Sequence, residues 1–178
     1  MIKMKKDCAF CQAIWDRNNE KIYEDDKVVA VLDERPAAPG HVLVLPKEHY
    51  PILEQVPDFV FRHAFNIANK ISVALFETLH SQGTNIIVNN GLAGGQESAH
   101  FMINIIARKE GDGLNFQWTP KQLSEEEMST IELQMKEQTK AIGQFEEEKA
   151  KPIEMEAKAK KISSDEGNYL WKKARRIP

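Results

Sequence analysis

Two thiols two residues apart, in Cys8-Ala9-Phe10-Cys11, can offer sulfur to a single soft metal ion, and a tetrahedral site would need two more donors. Histidine is the residue type that can complete it. Of five histidines, His49 follows an apolar run in Pro46-Lys47-Glu48-His49 and His100 opens another, so both stand at expected strand ends where ligands can converge; His63 and His80 fall within an expected helix. The same cysteines also suit a reduced pair packed as small hydrophobes. A second constellation is the loop Asn89-Asn90-Gly91-Leu92-Ala93-Gly94-Gly95, continuing into Gln96-Glu97-Ser98. Its glycines allow backbone N–H groups close to an anion, and its amides and hydroxyl donate without adding like charge, so a phosphate would fit. A long hairpin connection would use the same glycines. Asp33, ending the run Val28 to Leu32, could accept two hydrogen bonds from a ribose diol, or simply begin a turn. From Ser98 to Arg108 the chain alternates strictly, with His100, Met102 and Asn104 on one face and Phe101, Ile103 and Ile105 on the other.

These residues need a scaffold of short strands. Ile22 to Glu24, Val28 to Leu32 and His41 to Leu45 read as successive strands, with a turn at Asp25-Asp26 and a break at Pro36-Ala37-Ala38-Pro39-Gly40. Asp58 is placed to cap a helix running to about His80, with Phe61, Phe65, Ala68, Val73, Phe76 and Leu79 among its apolar positions and Gly83 as its stop. Asn85 to Val88 and Phe101 to Ile106 supply two more strands. Beyond Gly111-Asp112-Gly113 the composition turns to Glu, Lys, Gln and Met. Ser124 and Glu127 have capping-box spacing for a helix to about Ile142, Pro152 must break or kink any helix, and Ser163-Ser164-Asp165 could start a last one through Trp171. The expected organisation is a mixed domain over residues 1–110 and a helical extension over 111–178.

The 178 residues are 42% hydrophobic and 29% charged, which suits one globular domain with an appendage. A net charge of -3 gives no bulk reason to expect nucleic-acid binding. Lys172, Lys173, Arg175 and Arg176 make only the extreme end basic. No apolar run approaches the roughly 20 residues of a membrane-spanning helix, and Met1-Ile2-Lys3-Met4-Lys5-Lys6 does not lead into a signal core. A cytoplasmic protein without membrane association is expected.

Taken together, Cys8-x-x-Cys11, Ile22-Tyr23-Glu24-Asp25, Leu32-Asp33-x-x-Pro36, Pro39-Gly40-His41-x-Leu43-Val44-x-Pro46-Lys47-x-His49, Gly83-x-Asn85, Asn89-Asn90-Gly91 and Gly95-Gln96 resemble, in order and spacing, the histidine-triad (HIT) family of nucleotide-binding hydrolases and transferases. The resemblance covers roughly Asp7 to Lys109. It implies an α+β fold, with an antiparallel sheet of about five strands and packed helices, joined as a homodimer whose sheets become continuous. It also implies a purine nucleotide, with Asp33 on the ribose hydroxyls, Phe10, Ile14 and Leu32 at the base, and Asn89, Gln96 and His41 facing the α-phosphate. In the family's zinc-bearing branch, Cys8, Cys11, His49 and His100 would hold the metal. One departure falls at the reaction centre. The family's His-x-His-x-His is His100-x-Met102-x-Asn104 here, and the usual proline before the arginine is Ala107. The middle histidine is the family's nucleophile, whereas a thioether cannot be activated by deprotonation. The expectation is a binder of a purine mononucleotide or dinucleoside polyphosphate with weak or absent turnover. The alternatives are an active enzyme using bound water or His41 as base, and an interaction module working through the C-terminal helices.

Overall fold

A computed structural model describes residues 5–15 and 20–149 of the chain. The chain divides into two units, Met1–Glu148 and Lys149–Pro178. Pro152, the helix expected from Ser163 to Trp171 and the basic end lie outside the described residues.

Five strands, β1 (Lys21–Glu24), β2 (Val28–Leu32), β3 (Val42–Pro46), β4 (Gly83–Ile87) and β5 (Ile103–Arg108), form one antiparallel sheet in the order β1-β2-β3-β5-β4. The first three make the expected meander, with Val28 opposite Pro46 and Leu32 opposite Val42. β5 inserts beside β3, pairing Leu43 with Asn104, which leaves β4 on an edge. β3 is buried along its whole length. Its alternation splits the core in two: Val42 and Val44 join Val28, Ala30, Ile103 and Ile105 on one face, while Leu43 and Leu45 join Val29 and Ile14 on the other.

Helix α2 (Asp58–Leu79) covers the first face. Its buried stripe is Val60, Ala64, Ala68, Ser72 and Leu75, spaced by three or four residues as one helical face requires. The small residues Ala64 and Ala68 are fully buried, which lets the helix axis approach the sheet; Phe61 and Phe65 flank the stripe and are partly buried. Val73, Phe76 and Leu79, read among the helix's apolar positions, are 47%, 43% and 38% exposed, because they lie off the buried stripe that faces the sheet. Two expected boundaries also differ. Asp58 is the first helical residue, behind Pro57 at the N-cap, and its carboxylate accepts the Glu146 N–H at 2.6 Å. The helix stops at His80 in left-handed conformation (φ 50°), which frees Gly83 to begin β4.

The turn at Asp25 ties the meander to α2. The carboxylate accepts the N–H groups of Lys27 and Val28 at 2.8 Å each and the Tyr23 hydroxyl at 2.8 Å, and it lies 2.5 Å from His63 Nε2 on α2. Burial opposes its ionisation, but the hydrogen bonds from Val28, His63, Lys27 and Tyr23 outweigh burial and hold the carboxyl well below the ordinary value of 3.8. Asp25→Ala should therefore cost about 3 kcal/mol of stability at neutral pH. Because the folded carboxyl titrates below the unfolded one, that contribution is complete above about pH 4 and fades as acid protonates the native group. Denaturation followed from pH 7 down to pH 3 should show the gap between wild type and variant narrowing only at the acid end.

Helix α3 (Glu125–Gln138) begins at the expected capping box: Ser124 Oγ accepts the Glu127 N–H and Glu127 accepts the Ser124 N–H. The segment Thr139–Ala141 continues it as a 3₁₀ turn, close to the expected end at Ile142. Every residue of α3 is exposed, including Met128, Ile131, Leu133 and Met135. Among the described residues no helix is long and apolar enough to cross a membrane.

Candidate functional site

The second face of the sheet carries both constellations of interest. A short helix absent from the sequence expectations, α1 (Ala9–Trp15), brings Cys11 and Ile14 inward and presents Phe10 to a cleft. The spacing of Phe10 and Ile14, four residues apart, carried that signal, but seven residues are too few for periodicity to separate helix from loop.

Cys8, Cys11, His49 and His100 converge at the end of this face. Their ligand atoms all lie within 4.8 Å of one another, and the group could hold a metal ion. Cys8 Sγ is 3.5 Å from His100 Nδ1, and Cys11 Sγ is 3.4 Å from His49 Nδ1 and 3.6 Å from His100 Nδ1. Cys8, Cys11 and His100 are buried and His49 half-buried. The His100 Nε2–H donates to the Pro46 carbonyl at 3.0 Å. That bond fixes the ring's tautomer and leaves the Nδ1 lone pair aimed at the thiols. Burial pushes His100 down to about 4, against the Pro46 hydrogen bond that raises it, so the ring is neutral at physiological pH. Burial likewise pushes the Cys11 thiol up and His49 down. The regular strand starts only at Ile103, so His100 reaches the cluster from the irregular approach to β5; the Phe101 N–H donates to the Tyr50 carbonyl at 2.6 Å and pins that approach.

Beside the cluster open two cavities of about 560 and 590 Å³ with common walls, Ala9, Phe10, Asp33, Arg35 and Leu43. The first ends among Asn89, Gly95, Gln96, Ser98, Met102 and Asn104, and is polar; the second ends against Ala13, Val31 and Leu32 and is more apolar. Of the residues singled out in the sequence, Phe10, Leu32, Asp33, Asn89, Gln96, Met102 and Asn104 line this paired cleft. Two do not. Ile14 is 2% exposed and packs with Val29, Leu43 and Leu45 in the core, where an aliphatic chain on the inner side of α1 must go. His41 is 7% exposed and lies behind the wall. Its Nε2–H donates to Asn104 Oδ1 at 3.2 Å, while Nδ1 accepts the Ala37 N–H at 3.2 Å and stands 3.2 Å from Asp33 Oδ2. With Nε2 donating to Asn104 and Nδ1 accepting from Ala37, both ring nitrogens are engaged, and His41 orients Asn104.

The glycine loop is held by its own side chains. Gln96 accepts the Gly91 N–H through Oε1 (2.9 Å) and donates through Nε2 to the Pro51 and Ser98 carbonyls. Gly91 and Gly95 adopt φ of 74° and 81°, conformations that suit glycine. Gln96 thus braces the loop with its amide, whereas Asn89, which lines the cleft, donates to the Gly95 carbonyl at 3.3 Å. Sequence reasoning did not single out Arg35 and Glu97, which form an exposed ion pair of 3.5 Å across the cleft mouth; no local pattern announces a contact over 62 positions.

A five-stranded antiparallel sheet with a Cys₂His₂ cluster and a cleft between α1 and a glycine loop has the build of a HIT domain. The chain belongs to the HIT family, whose HIT-domain model matches residues 16–111. It is 41% identical over 112 residues to adenylylsulfatase HINT3 of Arabidopsis thaliana, covering 62% of this chain; it spans 57% of that relative's length. Among solved structures it is similar to a Zn-bound histidine triad family protein from Mycobacterium smegmatis (34% identity, TM-score 0.58, 65% of this chain and 84% of that one). It is also similar to a histidine triad nucleotide-binding protein from Candida albicans (26% identity, TM-score 0.65, 74% and 96%).

Proposed function

We propose that this chain binds a purine mononucleotide or dinucleoside polyphosphate in the paired cleft and carries out the family's α-phosphate chemistry weakly or not at all. The observation that carries the reading is Met102 on the wall of the polar cavity that Phe10, Asp33, Asn89 and Ser98 also line. A group there would meet a bound phosphate, and a thioether offers neither a nucleophilic nitrogen nor a proton. Asp33, on the wall common to both cavities, is placed for the ribose, with Phe10 and Leu32 for the base, and Asn89 and Asn104 for the phosphate. His41 has its ring nitrogens engaged with its neighbours, which disfavours it as a substitute base. The adenylylsulfatase relative and the nucleotide-binding structural neighbour support the nucleotide class.

Zinc is the metal that the four-residue cluster suits best. Bond lengths of about 2.3 Å to sulfur and 2.0–2.1 Å to nitrogen in a tetrahedron require S···N edges of roughly 3.5–3.6 Å, which agrees with the separations of 3.4–3.6 Å seen here. When bound it would act structurally, crosslinking α1 to the approach to β5. The edge strand β4, with Ile86 40% exposed, supports the homodimer by strand addition. We assign binding to residues 1–110 of a cytoplasmic protein and treat 111–178 as an extension. The fully exposed α3 favours a second reading in which that extension recruits another protein.

Titration calorimetry with AMP tests the proposal. Saturable binding is expected, weakened about tenfold in Asp33→Asn, which forfeits charge-assisted bonds to the ribose. No heat at millimolar AMP, GMP or diadenosine polyphosphate would refute it.

A further inference from the structure

The far end of the cleft carries an acceptor-only chemistry that a simple hydrophobic base pocket would lack. Glu20 and Glu34 line the apolar cavity and are absent from the polar one. Glu34 directly follows Asp33, and the register Lys21 opposite Val31 brings Glu20 to the same end of the β1–β2 pair. Among the described residues neither carboxylate has a hydrogen-bonding or ionic partner. Arg35, the nearby cation, is turned to Glu97. A planar ring held between Phe10, Leu32 and Leu43, with its sugar on Asp33, would direct an edge towards these two carboxylates.

We propose that this cleft selects guanine over adenine, with Glu34, seconded by Glu20, accepting hydrogen bonds from the base edge; the inference rests on the nucleotide-binding reading above. An ionised carboxylate has lone pairs and no proton to give. Guanine alone among the common bases shows two adjacent donors, N1–H and the N2 amino group, which match the two oxygens of one carboxylate. Adenine shows an N1 lone pair beside its N6 amino group, so a carboxylate that meets the amino group places its second oxygen against N1. The selectivity thus has an attractive and a repulsive part. A glutamine in the same place would reverse it, because an amide can both donate and accept and pairs well with adenine.

The test is calorimetry on the full chain with GMP, IMP and AMP, in wild type and in the double variant Glu20→Gln, Glu34→Gln. GMP is expected to bind wild type about tenfold or more tightly than AMP, with IMP, which lacks the 2-amino group, in between. In the double variant the ratio should fall to about unity or invert, GMP weakening while AMP strengthens. Equal affinities in wild type, a preference for AMP, or a GMP preference that survives both substitutions would overturn the selectivity while leaving nucleotide binding in place. Failure of all three nucleotides at millimolar concentration would remove the binding reading and this inference with it.

Discussion

Met102→His should raise turnover of adenosine phosphoramidate by on the order of a thousandfold or more. The residue lies on the cleft wall next to Asn104 and only partly packs against the Ile14, Val29, Leu43 and Leu45 cluster, so an imidazole can occupy the space without opening the core. A neutral ring nitrogen there would form a bond to the α-phosphorus as the bond to the leaving amine breaks; water would then cleave the nucleotidyl-histidine. Removing a covalent nucleophile in a protease costs about a million-fold, which sets the scale of what a restored one can return. The gain should fall short of that, because Asn104 stands where the family has its third histidine and its Oδ1 is already taken by His41. Product analysis of wild type and variant reads the result. An unchanged rate with unchanged AMP affinity would mean that the rest of the cleft is not arranged for chemistry.

Disabling the proposed metal site should have the second largest effect. Cys11→Ser, or a strong chelator, should lower the melting temperature by roughly 10 °C or more, the equivalent of a few kcal/mol in a domain of this size. Cys11 is 1% exposed and approaches both His49 and His100, so its removal loosens α1 and the approach to β5 together. Occupancy should also depend on acidity in a defined direction. Burial raises the Cys11 thiol, so uptake must expel a proton from sulfur, and affinity falls as pH falls. Elemental analysis and thermal melts between pH 8 and pH 6 measure both effects. A protein that carries no stoichiometric metal and melts unchanged with chelator would contradict the zinc assignment.

Much of this was legible in the chain because the strands are short, alternating and punctuated. Val28 to Leu32 was read to the residue, and β3 and β5 to within a few. The four cluster residues were visible as donor types, the two histidines at strand ends, although their meeting depends on β5 inserting beside β3, a pairing that no local pattern specifies. What failed depends on which side of an element faces the core. Of the apolar positions read along α2, Ala68 faces the sheet while Val73, Phe76 and Leu79 stay partly exposed, because a helix lies closest to a sheet through its smallest side chains. Helix α1 escaped notice because about two turns leave almost no periodicity, and with it went the inward orientation of Ile14. No local pattern marks Arg35, Glu97, Glu20 and Glu34, which the fold alone gathers around the paired cleft.

The central claim, capture without covalent chemistry, is tested most directly on one sample by following binding and reaction together. Metal-replete wild-type protein would be mixed with excess nucleoside phosphoramidate, its saturation followed by calorimetry and its intact mass and released products by mass spectrometry. Full occupancy with no nucleotidyl adduct and no product above the uncatalysed level is the expected result. Repeated turnover by wild type at rates ordinary for an enzyme would contradict it.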